Sequence, residues 1–224
     1  RGMIRFLPHE HCSKICGLFK CSIINGMIKA IAFDFFGVFM PDRYWLWLGK
    51  NVKDLSARRQ FFGELADQID RGEISRDTFL TLLSQNTGIS QEEIVRGMRQ
   101  EGSIDQELLA LAGRLRKYYK IAVVSNIRHE FLERIFSELD LHSHFDIVIP
   151  SSKFGVIKPD PAIFRILLQQ LGMKAEEVIF IDDRLKNVEG ARAVGIDAFV
   201  YTGVLDFKEE IKKTGISPTE VNVL

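Results

Sequence analysis

From Met27 onward the chain alternates short apolar runs with stretches of helical periodicity. Ile28–Phe33 is continuously apolar, ends at Asp34 and the loop Phe35-Phe36-Gly37-Val38, and reads as a buried strand. Between about Pro41 and Ser103 there is no convincing strand. Helical periodicity there is broken by Gly72, Gly88 and Gly102, with starts expected at Ser75 and Ser90. Ser90-Gln91-Glu92-Glu93 has capping-box spacing, and three or four helices are expected in this block. An amphipathic helix over Ile104–Tyr118 sets Ile104, Leu108, Leu111 and Leu115 on one face. Strands at Ile121–Val124, Phe145–Ile149, Val178–Ile181 and Asp197–Tyr201 then alternate with helices at Glu130–Leu139, Pro161–Leu171, Val188–Val194 and Phe207–Lys213. Such alternation implies parallel βαβ units with right-handed crossovers: an α/β sheet with a helical block inserted after its first strand.

Composition narrows the partners. The 224 residues are 46% apolar and 27% charged, which is enough apolar mass for a globular core. Thirty Lys and Arg balance thirty Asp and Glu. With no global field, neither nucleic acid nor a membrane surface is an expected partner, and an anion would need a local site. No run of eighteen apolar residues occurs. All three cysteines (Cys12, Cys16, Cys21) precede Met27, so the main body is not built on disulfides, which suits a cytoplasmic protein. Their spacing, with His9 and His11 nearby, lacks the close pairs of structural zinc sites. Lys20 interrupts the apolar stretch that a signal peptide would need. Residues 1–26 are therefore read as an extension upstream of a natural start at Met27.

The polar residues gather where strands end. Asp34, Ser125-Asn126, Ser151-Ser152 and Asp182-Asp183 each follow a strand, and in open parallel sheets ligands bind beyond the carboxyl ends of strands. Singly, each has an ordinary explanation as a turn or capping residue. Together, three carboxylates at one edge repel one another unless a cation is present, and a hard divalent ion such as Mg2+ suits oxygen ligands. Lys158, in Gly155-Val156-Ile157-Lys158-Pro159-Asp160-Pro161, adds a fixed positive charge. Asp160 fits a helix N-cap with Pro161 at the first helical position. Carboxylates, a divalent metal, a hydroxyl and a lysine describe phosphoryl transfer.

These segments resemble the haloacid dehalogenase-like (HAD) hydrolases, subfamily I. The matching pieces are Asp34-Phe-Phe-Gly-Val, Val124-Ser125-Asn126, the Lys158-Pro-Asp-Pro loop, and Phe180-Ile-Asp182-Asp183-Arg-Leu-Lys-Asn187, and the likeness runs over Met27–Thr202. It is nearest to the branch holding sugar-phosphate phosphatases and the phosphatase domain of soluble epoxide hydrolases. The resemblance implies a Rossmann-like core of strand order 3-2-1-4-5 over residues 27–40 and 104–224, with a helical cap over 41–103. It implies that Asp34 is a nucleophile forming an aspartyl-phosphate, and that Ser125, with the Asn126 amide, binds a phosphoryl oxygen. Lys158 would bridge nucleophile and phosphate. Asp34, the Phe36 carbonyl, Asp182 and Asp183 would hold Mg2+, with Asn187 orienting the acidic loop. The implied substrate is a small phosphorylated metabolite.

One position departs from the pattern. Most phosphatases of the family carry a second Asp two residues after the nucleophile, as general acid and base; here it is Phe36. The rival readings are a metal-independent 2-haloacid dehalogenase, in which paired acids would have no use, and a non-catalytic phosphate-binding module. Among neighbouring residues, Tyr44, Trp45 and Trp47 are expected to pack within the helical block, with lining of a substrate pocket as the alternative. Arg43 is expected at a solvated surface, with contact to a substrate anion as the alternative, and His129 at a helix start or in solvent rather than as a proton donor.

Overall fold

The computed structural model describes residues 28–216. Its centre is a five-stranded parallel sheet: β1 (Ala30–Phe33), β2 (Lys120–Ser125), β3 (Ile147–Pro150), β4 (Val178–Asp182) and β5 (Asp197–Val200), in the order β3-β2-β1-β4-β5. Every residue of β1 is buried. Its alternate residues feed two different apolar clusters, Ile31 and Phe33 into one and Ala30 and Ala32 into the other. A strand covered on both faces needs this unbroken apolar run, and short alanines leave room for helices on the second face. Packed on the first face are α5 (Gln106–Leu115), α6 (His129–Glu138) and α9 (Val204–Lys213), through residues such as Leu111, Phe136 and Phe207. The second face is covered by α7 (Pro161–Leu171) and α8 (Leu185–Arg192), through Phe164, Leu167 and Val188.

Four helices lie between β1 and α5: α1 (Arg43–Asn51), α2 (Leu55–Arg71), α3 (Arg76–Thr87) and α4 (Gln91–Gln100). They enclose an apolar cluster of their own, including Trp47, Phe62, Leu65, Phe79 and Leu83. Ser75 accepts from the Thr78 amide, and Ser90 with Glu93 forms the full capping box. Phe131 of α6 packs against this cluster and against the sheet's cluster alike.

Element ends differ from the sequence expectation where polar residues fold inward. Helix α8 begins at Leu185, earlier than the apolar periodicity indicates, because buried Asn187 turns toward the sheet. Strand β3 begins at Ile147. Phe145 belongs to the core through its side chain alone, and the Asp146 amide donates to the Ile121 carbonyl.

Register sets the site. β1 pairs with β2 and with β4, Phe33 lying level with Val123 on one side and Ile181 on the other. The next residue, Asp34, donates its amide to the Ile181 carbonyl at 2.8 Å. Chain order reverses about β1, so the crevice beyond its carboxyl end, flanked by β2 and β4, is where a ligand is expected.

Candidate active site

Asp34, Ser125 and Asp182 come to this crevice on the ends of three adjacent strands. Lys158, only 1% exposed, enters between them from the loop before α7. Its Nζ lies 2.8 Å from Asp34 Oδ1 and 2.6 Å from Asp182 Oδ2. That loop is fastened to the end of β2: the Lys158 amide donates to Asn126 Oδ1 at 2.7 Å, and Asn126 Nδ2 donates to the Lys158 carbonyl at 3.0 Å. The Asn126 side chain is thus committed to placing the lysine, rather than pointing free at a ligand. Asn187 donates to both oxygens of Asp182, at 2.9 and 3.0 Å, the orienting part expected of it.

The electrostatics follow from burial. Desolvation raises the Asp34 pKa to about 7, against the attraction of Lys158 and with added repulsion from Asp182. Burial would lower the Lys158 pKa, but the two carboxylates outweigh it and hold the ammonium above its usual value. Desolvation and Asp182 likewise raise Asp183. Asp34, Asp182 and Asp183 each offer a carboxylate oxygen, all within 4.8 Å of one another. Three carboxylates against one ammonium leave a formal charge of −2, and Asp183 Oδ1 is buried without a hydrogen-bond partner. Hard oxygen donors, an uncompensated double charge and an orphaned oxygen fit a divalent cation such as Mg2+.

Gly37 makes room for this arrangement. Its φ is +88°, and a Cβ there would lie 2.4 Å from the Asp183 carboxyl. Beside it Phe36 presents a ring, edge-on to Phe35, and so lines the cavity without a proton to give. Across the crevice, Ser125 Oγ is buried and has no partner in the protein, which suits a hydroxyl placed for a ligand oxygen.

The crevice opens into a cavity of about 410 Å³ between the sheet edge and the inserted helices. Tyr44 and Trp45 line it while Trp47 is buried among the helices, so the three aromatics divide between the two readings of them. Arg43 is not a solvated surface residue. Its Nε donates to the Glu101 carbonyl at 3.0 Å and its guanidinium also reaches the Gly102 carbonyl, tying the start of the insertion to its end. His129 opens α6, its amide donating to Ser152 Oγ, and it does not line the cavity. Ser151 is structural too: its hydroxyl accepts from the Ile127 amide and donates to the Asp70 carbonyl.

Two features escaped the sequence reading. Arg184, next to the acidic pair, bonds Asp42 at the start of α1 at 2.7 Å, and nothing in local sequence links positions 142 residues apart. Asp70, in the last turn of α2, also lines the cavity. An acid at a helix C-terminus stands against the helix dipole, which is the one signal that could have marked it.

The model of the haloacid dehalogenase-like hydrolases matches residues 28–195. The chain belongs to this family. The sesquiterpene phosphatase astK of Aspergillus oryzae is 29% identical over 192 residues, covering 83% of this chain and 95% of that protein. Bifunctional epoxide hydrolase 2 of rat is 30% identical over 138 residues, covering 58% of this chain and 24% of that protein. The chain spans well under half the length of the first curated relatives it matches. Among solved structures, the HAD family enzyme bt-2542 of Bacteroides thetaiotaomicron, in complex with magnesium and inorganic phosphate, superposes with a TM-score of 0.63 at 21% identity. It covers 77% of this chain and 93% of that one. At that identity the likeness concerns the fold, and the sheet order 3-2-1-4-5 of the HAD core is present here.

Proposed function

We propose that this HAD-like hydrolase is a Mg2+-dependent phosphomonoesterase working through an aspartyl-phosphate on Asp34. One observation carries the reading: buried Lys158 holds Asp34 and Asp182 together while Ser125 Oγ, across the crevice, has no partner. That is a nucleophile, a fixed cation and a spare hydroxyl around a space where a phosphoryl group would sit.

On this reading Asp34, Asp182, Asp183 and the Phe36 carbonyl hold Mg2+, which when bound supplies charge neutralisation for phosphate and nucleophile. Lys158 neutralises a second side of the phosphoryl group and orients the Asp34 oxygen it touches. Ser125 donates to a phosphoryl oxygen, and the main chain at Asn126 lies beside it. The substrate is a small phosphorylated metabolite, and the aromatic lining by Phe36, Tyr44, Trp45, Phe79 and Phe131 favours an ester with an apolar alcohol. The sesquiterpene phosphatase relative supports that preference. A cytoplasmic setting accords with the absence of cysteine from Met27 onward.

The test is phosphate release from an aryl phosphate, prenyl phosphates and sugar phosphates, with Mg2+ and with chelator. Metal-dependent turnover that disappears in Asp34→Asn, and favours prenyl over sugar esters, is expected. Absence of turnover on every ester would overturn the reading, and halide release from 2-haloacids without metal would replace it with dehalogenation.

A further inference from the structure

Phe36 leaves the reaction without a proton donor at the usual place, and the inserted helices hold a carboxyl that nothing else employs. Five acids besides Asp34 line the cavity: Asp42, Glu64, Asp67, Asp70 and Glu138. Asp42 is bound to Arg184, Glu64 to Gln60, Asp67 to Arg71, and Glu138 to Arg99. Of these five, only Asp70 has a carboxyl with no side-chain or amide donor among the described residues. The Tyr44 hydroxyl is spent, donating to the Phe62 carbonyl at 2.8 Å.

Asp70 is fastened to the site through its backbone. Ser151 Oγ donates to its carbonyl, and the same oxygen accepts from the Ile127 amide, two residues beyond Ser125. Gly72, which ends α2 with a φ of +76°, lies against Ser152; a Cβ there would be 3.2 Å from the Ser152 carbonyl. The close of α2 is therefore clamped to the exit of β3, and its last acid faces the cavity that Asp34 faces. Burial and the charges of Asp42, Asp67 and Asp34 keep this carboxyl protonated well above the ordinary carboxylate range, against Arg184. No metal-binding position lies within two residues of it.

We propose that Asp70 is the general acid and base of the hydrolase, standing in from the inserted helices for the acid that Phe36 replaces. The inference rests on the phosphatase reading above. As Asp34 attacks phosphorus and the P–O bond to the alcohol breaks, the electron pair passes to the leaving oxygen, which takes the Asp70 proton and departs as ROH. Asp70, now ionised, removes a proton from the water that attacks the aspartyl-phosphate. The P–O bond to Asp34 breaks, inorganic phosphate leaves, and both carboxyls return to their starting states.

The experiment compares the unaltered chain with Asp70→Asn and Asp70→Glu on 4-nitrophenyl phosphate and on an alkyl phosphate, with Mg2+, across pH. In Asp70→Asn, kcat/KM for the alkyl ester should fall by about 10²–10⁴-fold, while that for the aryl ester, whose leaving group needs no proton, stays within about threefold. A nitrophenol burst matching the enzyme concentration should appear as phosphoenzyme accumulates. The alkaline limb of the alkyl profile should vanish, and Asp70→Glu should recover part of rate and limb. Equal losses on both esters, an unchanged alkaline limb, or no loss overturns the assignment. If the unaltered chain shows no Mg2+-dependent turnover, the phosphatase reading fails and the assignment falls with it. Turnover that ignores Asp70 removes the assignment alone.

Discussion

The two walls of the cavity are built differently. On the sheet side each functional atom is held by several constraints: Asp34 by strand register and Lys158, Lys158 by Asn126 and two carboxylates, Asp182 by Asn187. The side formed by the inserted helices rests on its own apolar cluster and meets the sheet edge through a few separate ties, such as Arg184 to Asp42 and Ser151 to Asp70. The over-determined wall is where charge must be placed to a fraction of an ångström. The other wall is fixed to the sheet edge at fewer points. On the proposed reading the sheet wall handles the nucleophile and the phosphoryl charge, while the helical wall meets the leaving group and carries the Asp70 acid that protonates it.

The largest test of that contrast is Lys158→Met. It leaves Asp34 and Asp182 buried beside each other with no cation, a change of the kind that costs about 3–5 kcal/mol. In chelator the melting temperature should drop by about 10 °C, a domain of this size losing about 2–4 °C per kcal/mol. Mg2+ should restore part of it, and phosphatase turnover should be lost. A melt unchanged in chelator would show that the sheet wall is not held by this lysine. Gly37→Ala is next. The substitution combines strain at positive φ with a Cβ driven into Asp183, for a cost of about 1–3 kcal/mol. Calorimetric titration should show weaker Mg2+ binding, and equal affinity would remove Asp183 from the metal site.

What the sequence made legible follows the same division. Strand-end residues announce themselves, because a parallel sheet delivers its functional groups at a fixed phase: one position past each apolar run. Asp34, Ser125 and Asp182 stand at that position with Asp183 directly after, Lys158 stands out as the fixed charge in its proline-rich loop, and only Asn187 needs the family pattern. Pairings across the cavity carry no such phase. Asp42 and Arg184 meet only because α1 starts beside the acidic loop, and Arg43 bridges back to Glu101 and Gly102 only because the insertion enters and leaves together. Composition alone reads Arg43 as solvated, since an arginine offers no sequence mark of two carbonyls waiting for it. The helix starts at Ser75 and Ser90 were legible for the opposite reason, being local capping chemistry.

A carboxyl kept without a partner for chemistry should cost stability, and Asp70→Asn measures that. The Asp70 pKa is raised in the folded chain, so between the ordinary carboxylate value and the raised one the folded state binds more protons than the unfolded state. Stability therefore falls as pH rises through that window. The amide has nothing to ionise. The variant should melt a few degrees higher than the unaltered chain at pH 7.5, and the gain should shrink toward nothing as pH falls below the ordinary carboxylate value, where Asp70 becomes protonated in both states. An Asn variant that melts lower at pH 7.5 would mean that Asp70 is stabilised by contacts and is not an unpaired acid.

The smallest effect is expected at the tie between the walls. Arg184→Gln removes the 2.7 Å pair with Asp42. Both partners are partly exposed, so about 0.2–1 kcal/mol of stability is at stake, and added salt should erase the difference. The kinetic consequence is the more informative one. If this pair holds the inserted helices over the sheet edge, its loss should raise KM for bulky apolar esters by severalfold and leave kcat on 4-nitrophenyl phosphate nearly unchanged, because the aryl ester makes little use of the far wall. An equal fall in kcat on both esters would place Arg184 with the charge-handling wall instead, acting through its neighbour Asp183, and the division between the two walls would then run one residue further into the acidic loop.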